Sequence, residues 1–213
     1  GYKKGVAITY PSHIERVYKQ DLLTYVQEIK LLVIQNLIKN HSFLSSYKSA
    51  IRHDDVSDEL EQAIKTISTL AAIQSLRLVR SLLARATAIN KFNSDIFSRF
   101  VKAVAVDNVA VVDDIKMWTL QNARLINTIP EQLLDKVAEA VRAAVANGDS
   151  TKTLATALGR SFDISKNRAK FIARDQVAKL NGNITRARNL ALGLVDYIWS
   201  SSRDERVRHS HAV

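Results

Sequence analysis

Residues 12–37, SHIERVYKQDLLTYVQEIKLLVIQNL, decide the fold class. Ile14, Tyr18, Leu22, Tyr25, Ile29, Leu32 and Asn36 recur at steps of three and four, which aligns them along one side of a helix. Leu23, Val26, Val33, Ile34 and Leu37 widen the apolar stripe past a single face, so this helix must be covered from more than one side. Ser12 and Glu15 have the spacing of a capping box at its start. Outward from this stretch, Val6 to Asn147 contains no Gly, and Pro130 is the only Pro after Pro11. A β-rich chain needs Gly, Pro, Asn or Asp turns every 8–12 residues or so. This part of the chain is therefore mostly helix.

A second long helix is expected from a cap at Asp55 or Ser57, carrying Leu60, Ile64, Ile67, Ala71, Leu78 and Leu82. Asn90 to Ser94 reads as a turn, followed by a third helical region to about Thr128 with an interruption near Val106-Asp107-Asn108. Pro130 suits the first turn of a fourth helix, which Asn147-Gly148 ends. Ser150 or Thr151 then caps a short helix to Gly159, and Ser165 a basic one to about Leu192, stopped by Gly193. Leu194 to Trp199 is β-branched and aromatic without a helical period; it reads as a strand, with a turn near Ser202-Arg203-Asp204 and a second strand after it. The expected fold is mainly α: a long-helix portion over residues 1–128, then a compact α+β unit over 129–213 closed by a short strand pair.

Zero Cys excludes disulfides, thiolate metal sites and Cys nucleophiles. The longest charge-free run, Thr66 to Leu76, is 11 residues. A membrane span needs about 18 or more, and the Lys-bearing N-terminus is too soon ended by Pro11 for a signal peptide. A soluble chain of intracellular origin, with no membrane partner, is the expectation. No Gly-rich phosphate loop, His-Glu-x-x-His or nucleophile elbow occurs. The carboxylate pairs Asp54/Asp55 and Asp113/Asp114 belong to helix caps or faces. No enzyme and no cofactor are expected.

The formal charge of +10 is concentrated near the end. Residues 151–190 hold nine Lys and Arg against Asp163 and Asp175, an excess that favours polyanions such as DNA or an acidic protein surface. On a helical wheel at about 100° per residue, Ala169, Ala173, Gln176, Leu180, Ile184, Ala187 and Ala191 share one side. Lys166, Lys170, Arg174 and Arg188 flank it on one shoulder, and Arg168, Lys179 and Arg186 on the other. Two basic edges beside a core-facing side suit phosphate contact without base reading, and no aromatic is expected among them to stack on bases. In the tail, His209 and His211 with Asp204 have the makings of a divalent-metal site for a hydrolase, opposed by Arg203, Arg206 and Arg208. A salt-bridged strand pair, with Asp204 holding Arg206 or Arg208, is the stronger reading of that stretch.

The tail also carries a resemblance. Ile172-Ala173-Arg174-Asp175, then Asn181, Gly193, Tyr197, Trp199 and Asp204-x-Arg206-Val207-Arg208-x-x-His211 resemble the closing signature of the phage head morphogenesis family, which includes the phage Mu F-like minor head proteins. Asn122-x-x-Leu125-Ile126, Gly148, Ser165-x-x-Arg168-Ala169, and Pro11 with Glu15 and Tyr18 extend the similarity upstream. The chain departs from the pattern at Asp175-Gln176, where the family commonly has Thr-Glu, and at Arg208 and His211, where some members carry a Cys pair. It also stops at Val213 in mid-motif and starts at Gly1, so a longer or processed molecule is expected, with a delivered toxin domain as one reading of its C-terminal continuation. The resemblance implies a minor capsid protein made in the host cytoplasm, resident in the virion near the portal. Its implied partners are the portal protein, nonspecifically bound DNA, other head proteins and further copies of itself, with roles in head assembly and genome packaging or ejection.

Overall fold

The computed structural model describes residues 9–53, 56–100 and 108–194. Its first helix, α1 (Ser12–Val33), forms over the stretch whose periodicity predicts it, but with another start. The Pro11 carbonyl accepts from the N–H groups of Ile14 and Glu15 at 3.0 and 3.2 Å. The Tyr10 hydroxyl donates to the Glu15 carboxylate at 2.8 Å, which draws that side chain away from Ser12. The expected capping box is therefore not made. α1 runs into a π-helical turn, Ile34–Ile38, where the Asn36 amide donates to the Leu32 carbonyl at 2.8 Å and Lys39 N–H reaches the Ile34 carbonyl. Such an inserted polar side chain is a usual origin of a helix break. Asn40 then caps α2 (His41–His53) by accepting from Ser42 and Phe43 N–H at 3.0 and 3.3 Å.

Three longer helices complete the chain: α3 (Ser57–Phe100), α4 (Asn108–Ala146) and α5 (Thr151–Ala191). With α1 they form an antiparallel four-helix bundle. Arg77 of α3 donates to Glu28 of α1 at 2.8 Å, and Arg85 to Asp21, so the two helices run in opposite directions. Ser75 meets Asn127 at 3.3 Å, which sets α4 against α3. Trp118 and Asn122 reach Gln176 while Thr128 reaches Arg168, so α5 descends along α4. Lys30 lies over Phe162 and Thr9 meets Asn181, so α5 is antiparallel to α1 as well. This is the up-down-up-down arrangement, with α1 and α4, and α3 and α5, on its diagonals. One core fills the centre, including Tyr18, Leu22, Tyr25, Ile29, Leu82, Ile89, Ile126, Leu133, Val137, Leu158, Ala173, Leu180 and Ile184. α2 closes one end, its Tyr47 hydroxyl donating to the Asp149 carbonyl at 2.8 Å.

The α+β expectation is corrected. From Ile129 to Ala191 the described chain is two helices joined by one turn, and no strand occurs among the described residues. Of the stretch assigned to the strand pair, residues 194–213, all but Leu194 lies outside them. Leu194 stands in a turn closed by its N–H to the Asn189 carbonyl. Three expected breaks are absent for related reasons. Asn90 to Ser94 continue α3, because Asn93 is buried and bonded to α5. Pro130 sits inside α4: it removes one helical hydrogen bond, but Ile126, Ile129, Leu133 and Val137 are buried on both sides of it. Gly159 sits inside α5, where Leu154, Leu158 and Phe162 keep one core-facing line across it. Packing overrides local propensity at all three. The expected stops at Gly148 and Gly193 are real, with φ of 67° and 70° that an L side chain rarely adopts, and Ser150 caps α5 by accepting from Thr153 N–H at 3.2 Å.

By length and composition α3 is apolar enough to cross a membrane. In the bundle one side of α3 is core, with Ala71, Leu78, Leu82, Ala86 and Ile89 buried and Arg77 and Arg85 bridging to α1, while Leu70, Ile73, Leu76 and Leu83 on its other side are exposed.

Candidate functional site

α5 carries the site residues that sequence places on it, and its two halves treat them differently. Up to Ala178 its outer side is solvent, and its inner side buries Phe162, Ala169, Ile172, Ala173 and Gln176 against α1 and α4. Beyond that point the buried side rotates. Asn181, Thr185 and Arg188, which share the direction of Lys170 and Arg174 on the helical wheel, are covered by the end of α3 and by Thr9. The exposed direction shifts to Lys179, Asn183 and Arg186.

The covering contacts are polar. Asn93 donates to Asn181 at 3.2 Å and to Thr185 at 2.7 Å, and Asn181 donates to the Thr9 carbonyl at 2.9 Å. The Arg188 guanidinium donates to Asn93, to the Asn90 carbonyl at 3.3 Å and to the Asn90 side chain at 2.7 Å. It stands 5.8 Å from the Phe97 ring centroid. Arg188 is 3% exposed, and burial lowers its pKa from the usual arginine range. It is a structural arginine and cannot reach a DNA backbone, which corrects its placement among the DNA-facing residues. Asn181 of the family signature is structural by the same geometry.

A second polar layer lies two turns away. Tyr18 donates to Asn122 at 2.8 Å, and Asn122 donates to Gln176 at 3.0 Å. Trp118 Nε1 donates to the Gln176 carbonyl at 2.7 Å. Gln176 donates onward to Asp175 at 2.8 Å, and Asp175 pairs with Lys179 at 2.7 Å. Burial pushes the Tyr18 hydroxyl well above the usual tyrosine range, and Arg85, 5.1 Å from its ring centroid, partly opposes this. The layer ties α1, α4 and α5 together at buried side chains, and every member is satisfied within the protein.

The other basic residues divide into held and unheld. Arg168 is half-buried, donating to Thr128 at 3.0 Å just before Pro130. Lys166 pairs with Asp163 at 3.3 Å, and Lys179 with Asp175. Lys170, Arg174 and Arg186 are exposed, with no ion pair to a described residue. Among them stands a residue that the helical wheel passes over. Phe171 is 68% exposed and Ile164, seven residues earlier, 53% exposed. The spacing that signals this face is Arg160, Ile164, Asn167, Phe171, Arg174 and Ala178, alternating four and three. The remaining signature residues, Trp199, Asp204, Arg206, Arg208 and His211, and the metal candidates Asp204, His209 and His211, lie outside the described residues. No metal-binding cluster occurs among the described ones.

Comparison with known proteins places the C-terminal part. Residues 135–213 match the family described as Phage Mu protein F like protein. The family reading drawn from the tail residues is thus confirmed over that stretch, which takes in the end of α4 and all of α5. A Haemophilus influenzae protein described only as uncharacterized is 43% identical over 102 residues, covering 48% of this chain and 23% of the relative. The chain thus spans less than a quarter of that relative's length. No solved structure matches.

Proposed function

We propose that this protein is a structural component of phage head morphogenesis. It acts without chemistry of its own, inside the virion near the portal, after assembly in the host cytoplasm. The observation that carries this reading is the family match over residues 135–213, together with a long helix in that stretch that leaves cationic side chains in solvent. The bundle supplies a rigid body for docking on the portal, on other head proteins or on further copies. Lys170, Arg174 and Arg186, with Lys179 reachable at the cost of a surface ion pair, contact DNA phosphates without reading sequence. Such contacts support packaging or ejection by holding DNA loosely.

The test is duplex affinity as salt is varied. Each phosphate contact adds about 0.9 to the slope of log affinity against log salt. Three contacts therefore predict a loss of about 40-fold between roughly 50 and 200 mM salt. Arg174→Ala lowers the slope by about one contact, and Arg188→Ala acts only through folding. No binding at low salt, or binding indifferent to salt, removes the DNA part of the reading and leaves the head-assembly part to co-purification with a portal ring.

A further inference from the structure

We infer that the outer face of α5 from Arg160 to Ala178 is a docking seam for an acidic amphipathic helix of a partner protein. The inference goes beyond the DNA reading, because phosphate contact explains Lys170 and Arg174 but gives no use to Phe171 and Ile164. Those two large apolar side chains are 68% and 53% exposed on the same side of one helix. They lie seven residues apart, about 10 Å along the axis. Tyr10, 37% exposed, meets the same helix at Arg174, its hydroxyl 3.4 Å from the Arg174 carbonyl. Ile164, Phe171 and Ala178 recur every seven residues, which keeps them facing a second helix wound alongside, while the alternate positions Arg160, Asn167 and Arg174 are polar and can meet polar or charged groups of the partner.

Charge selects the occupant. On this face Asp163 is taken by Lys166, while Arg160, Lys170 and Arg174 have no ion-pair partner among the described residues. A second copy seated on the same face would bring the same positive excess against itself. A helix with Leu or Ala along its seam and Glu on its flanks removes the repulsion, covers Ile164 and Phe171, and gives the guanidinium groups carboxylate partners.

The probe is a fluorescein-labelled four-heptad peptide with Leu at its seam positions and Glu at both flanking positions. Its control has Lys in place of every Glu. Fluorescence anisotropy with the full 213-residue chain is expected to show at least tenfold tighter binding of the Glu peptide. Phe171→Ser and Arg174→Glu are each expected to weaken that binding at least tenfold. Phe171 is mostly exposed, so its substitution spares the core; unchanged helical circular dichroism and melting confirm it, and Ile164→Ser provides an independent second variant. Equal binding of both peptides, binding of neither, or binding unaffected by Phe171→Ser overturns the seam. So does a self-associated species in sedimentation that Phe171→Ser dissolves, since the occupant would then be a second copy. Duplex DNA affinity should be unchanged by Phe171→Ser; a fall would assign the face to DNA instead. Loss of DNA binding in the unmodified chain leaves the peptide result standing, so the two readings fail separately.

Discussion

Arg174 and Arg188 lie fourteen residues apart on one helix, close to four full turns, and so point nearly the same way. One is exposed and the other is 3% exposed, bonded to Asn90 and Asn93. The difference is made outside α5, by how far α3 extends. Where the end of α3 and Thr9 lie against the helix, a cation becomes part of the core. Where they do not, it faces solvent beside Phe171. Charge along a helix therefore does not define a binding face by itself; the neighbouring element decides which cations are available.

The largest expected effect breaks this contrast directly. Arg188→Met removes charge-assisted hydrogen bonds, leaves the buried Asn93 side-chain oxygen without its donor and takes a donor from half-buried Asn90. Urea unfolding should show a loss of about 3 kcal/mol. Arg174→Met should change stability by no more than about 0.5 kcal/mol. Equal costs would mean that the two halves of α5 are not differently covered.

Next comes Gln176→Glu, which restores the residue common in the family. Its carboxylate can still accept from Asn122, but the oxygen replacing the amide nitrogen would face the Asp175 carboxylate that Gln176 now donates to. At pH 7 the expected cost is about 2 kcal/mol. Burial and Asp175 would both raise the folded pKa of the introduced carboxyl above its unfolded value of about 4.3. The folded state then binds the proton more tightly, so the variant regains stability as pH falls and loses it as pH rises through the raised value. Asp175→Asn in the same chain should recover part of the loss, because an amide can donate where the carboxylate repels. A pH-independent cost would place the fault in packing rather than charge.

A smaller effect is expected from Asn181→Ala. It gives up the hold on the Thr9 carbonyl and one of two partners of the Asn93 amide, while Thr185 keeps the other. The loss should be about 1–2 kcal/mol. Amide exchange should quicken first at Tyr10 and Ser12, ahead of the core at Leu133. Uniform acceleration would show that Asn181 serves the whole bundle rather than the entry of α1.

These contrasts also mark what the amino-acid order reveals. The periodic apolar positions of α1, the glycine stops at 148 and 193 and the Ser150 cap are local signals, and each is legible because its cause lies within a few residues. Asn90 and Asn93 look like turn residues until Arg188, 95 residues or more away, supplies what they bond to. Pro130 and Gly159 look like boundaries until the core on either side is known to continue. Of the core-facing side that the wheel of α5 gives, Ala169, Ala173, Gln176, Leu180 and Ile184 are buried, Ala187 is half-buried and Ala191, at the helix end, is exposed. The wheel gives both basic shoulders equal standing because it assumes one constant buried side. Phe171 escapes notice for the converse reason: an aromatic inside an apolar pattern is ordinarily core, and only the absence of a neighbour on that side makes it surface.

Lys179 provides the finest test of the divide, since it sits where the covered side of α5 changes over. Its ammonium pairs with Asp175 at 2.7 Å with 60% of the side chain exposed, and Asp175 is in turn held by Gln176. Solvent screening limits such a pair to about 0.5 kcal/mol at most, so Lys179→Ala should barely move the urea midpoint. Its effect on DNA should be a little larger: the pair must open for Lys179 to meet a phosphate, so its contribution to the salt slope should fall below that of Arg186. If Lys179→Ala instead destabilises the chain by more than about 1 kcal/mol, the Asp175 carboxylate depends on it. The polar layer of Tyr18, Asn122 and Gln176 would then extend to the surface rather than end at Asp175.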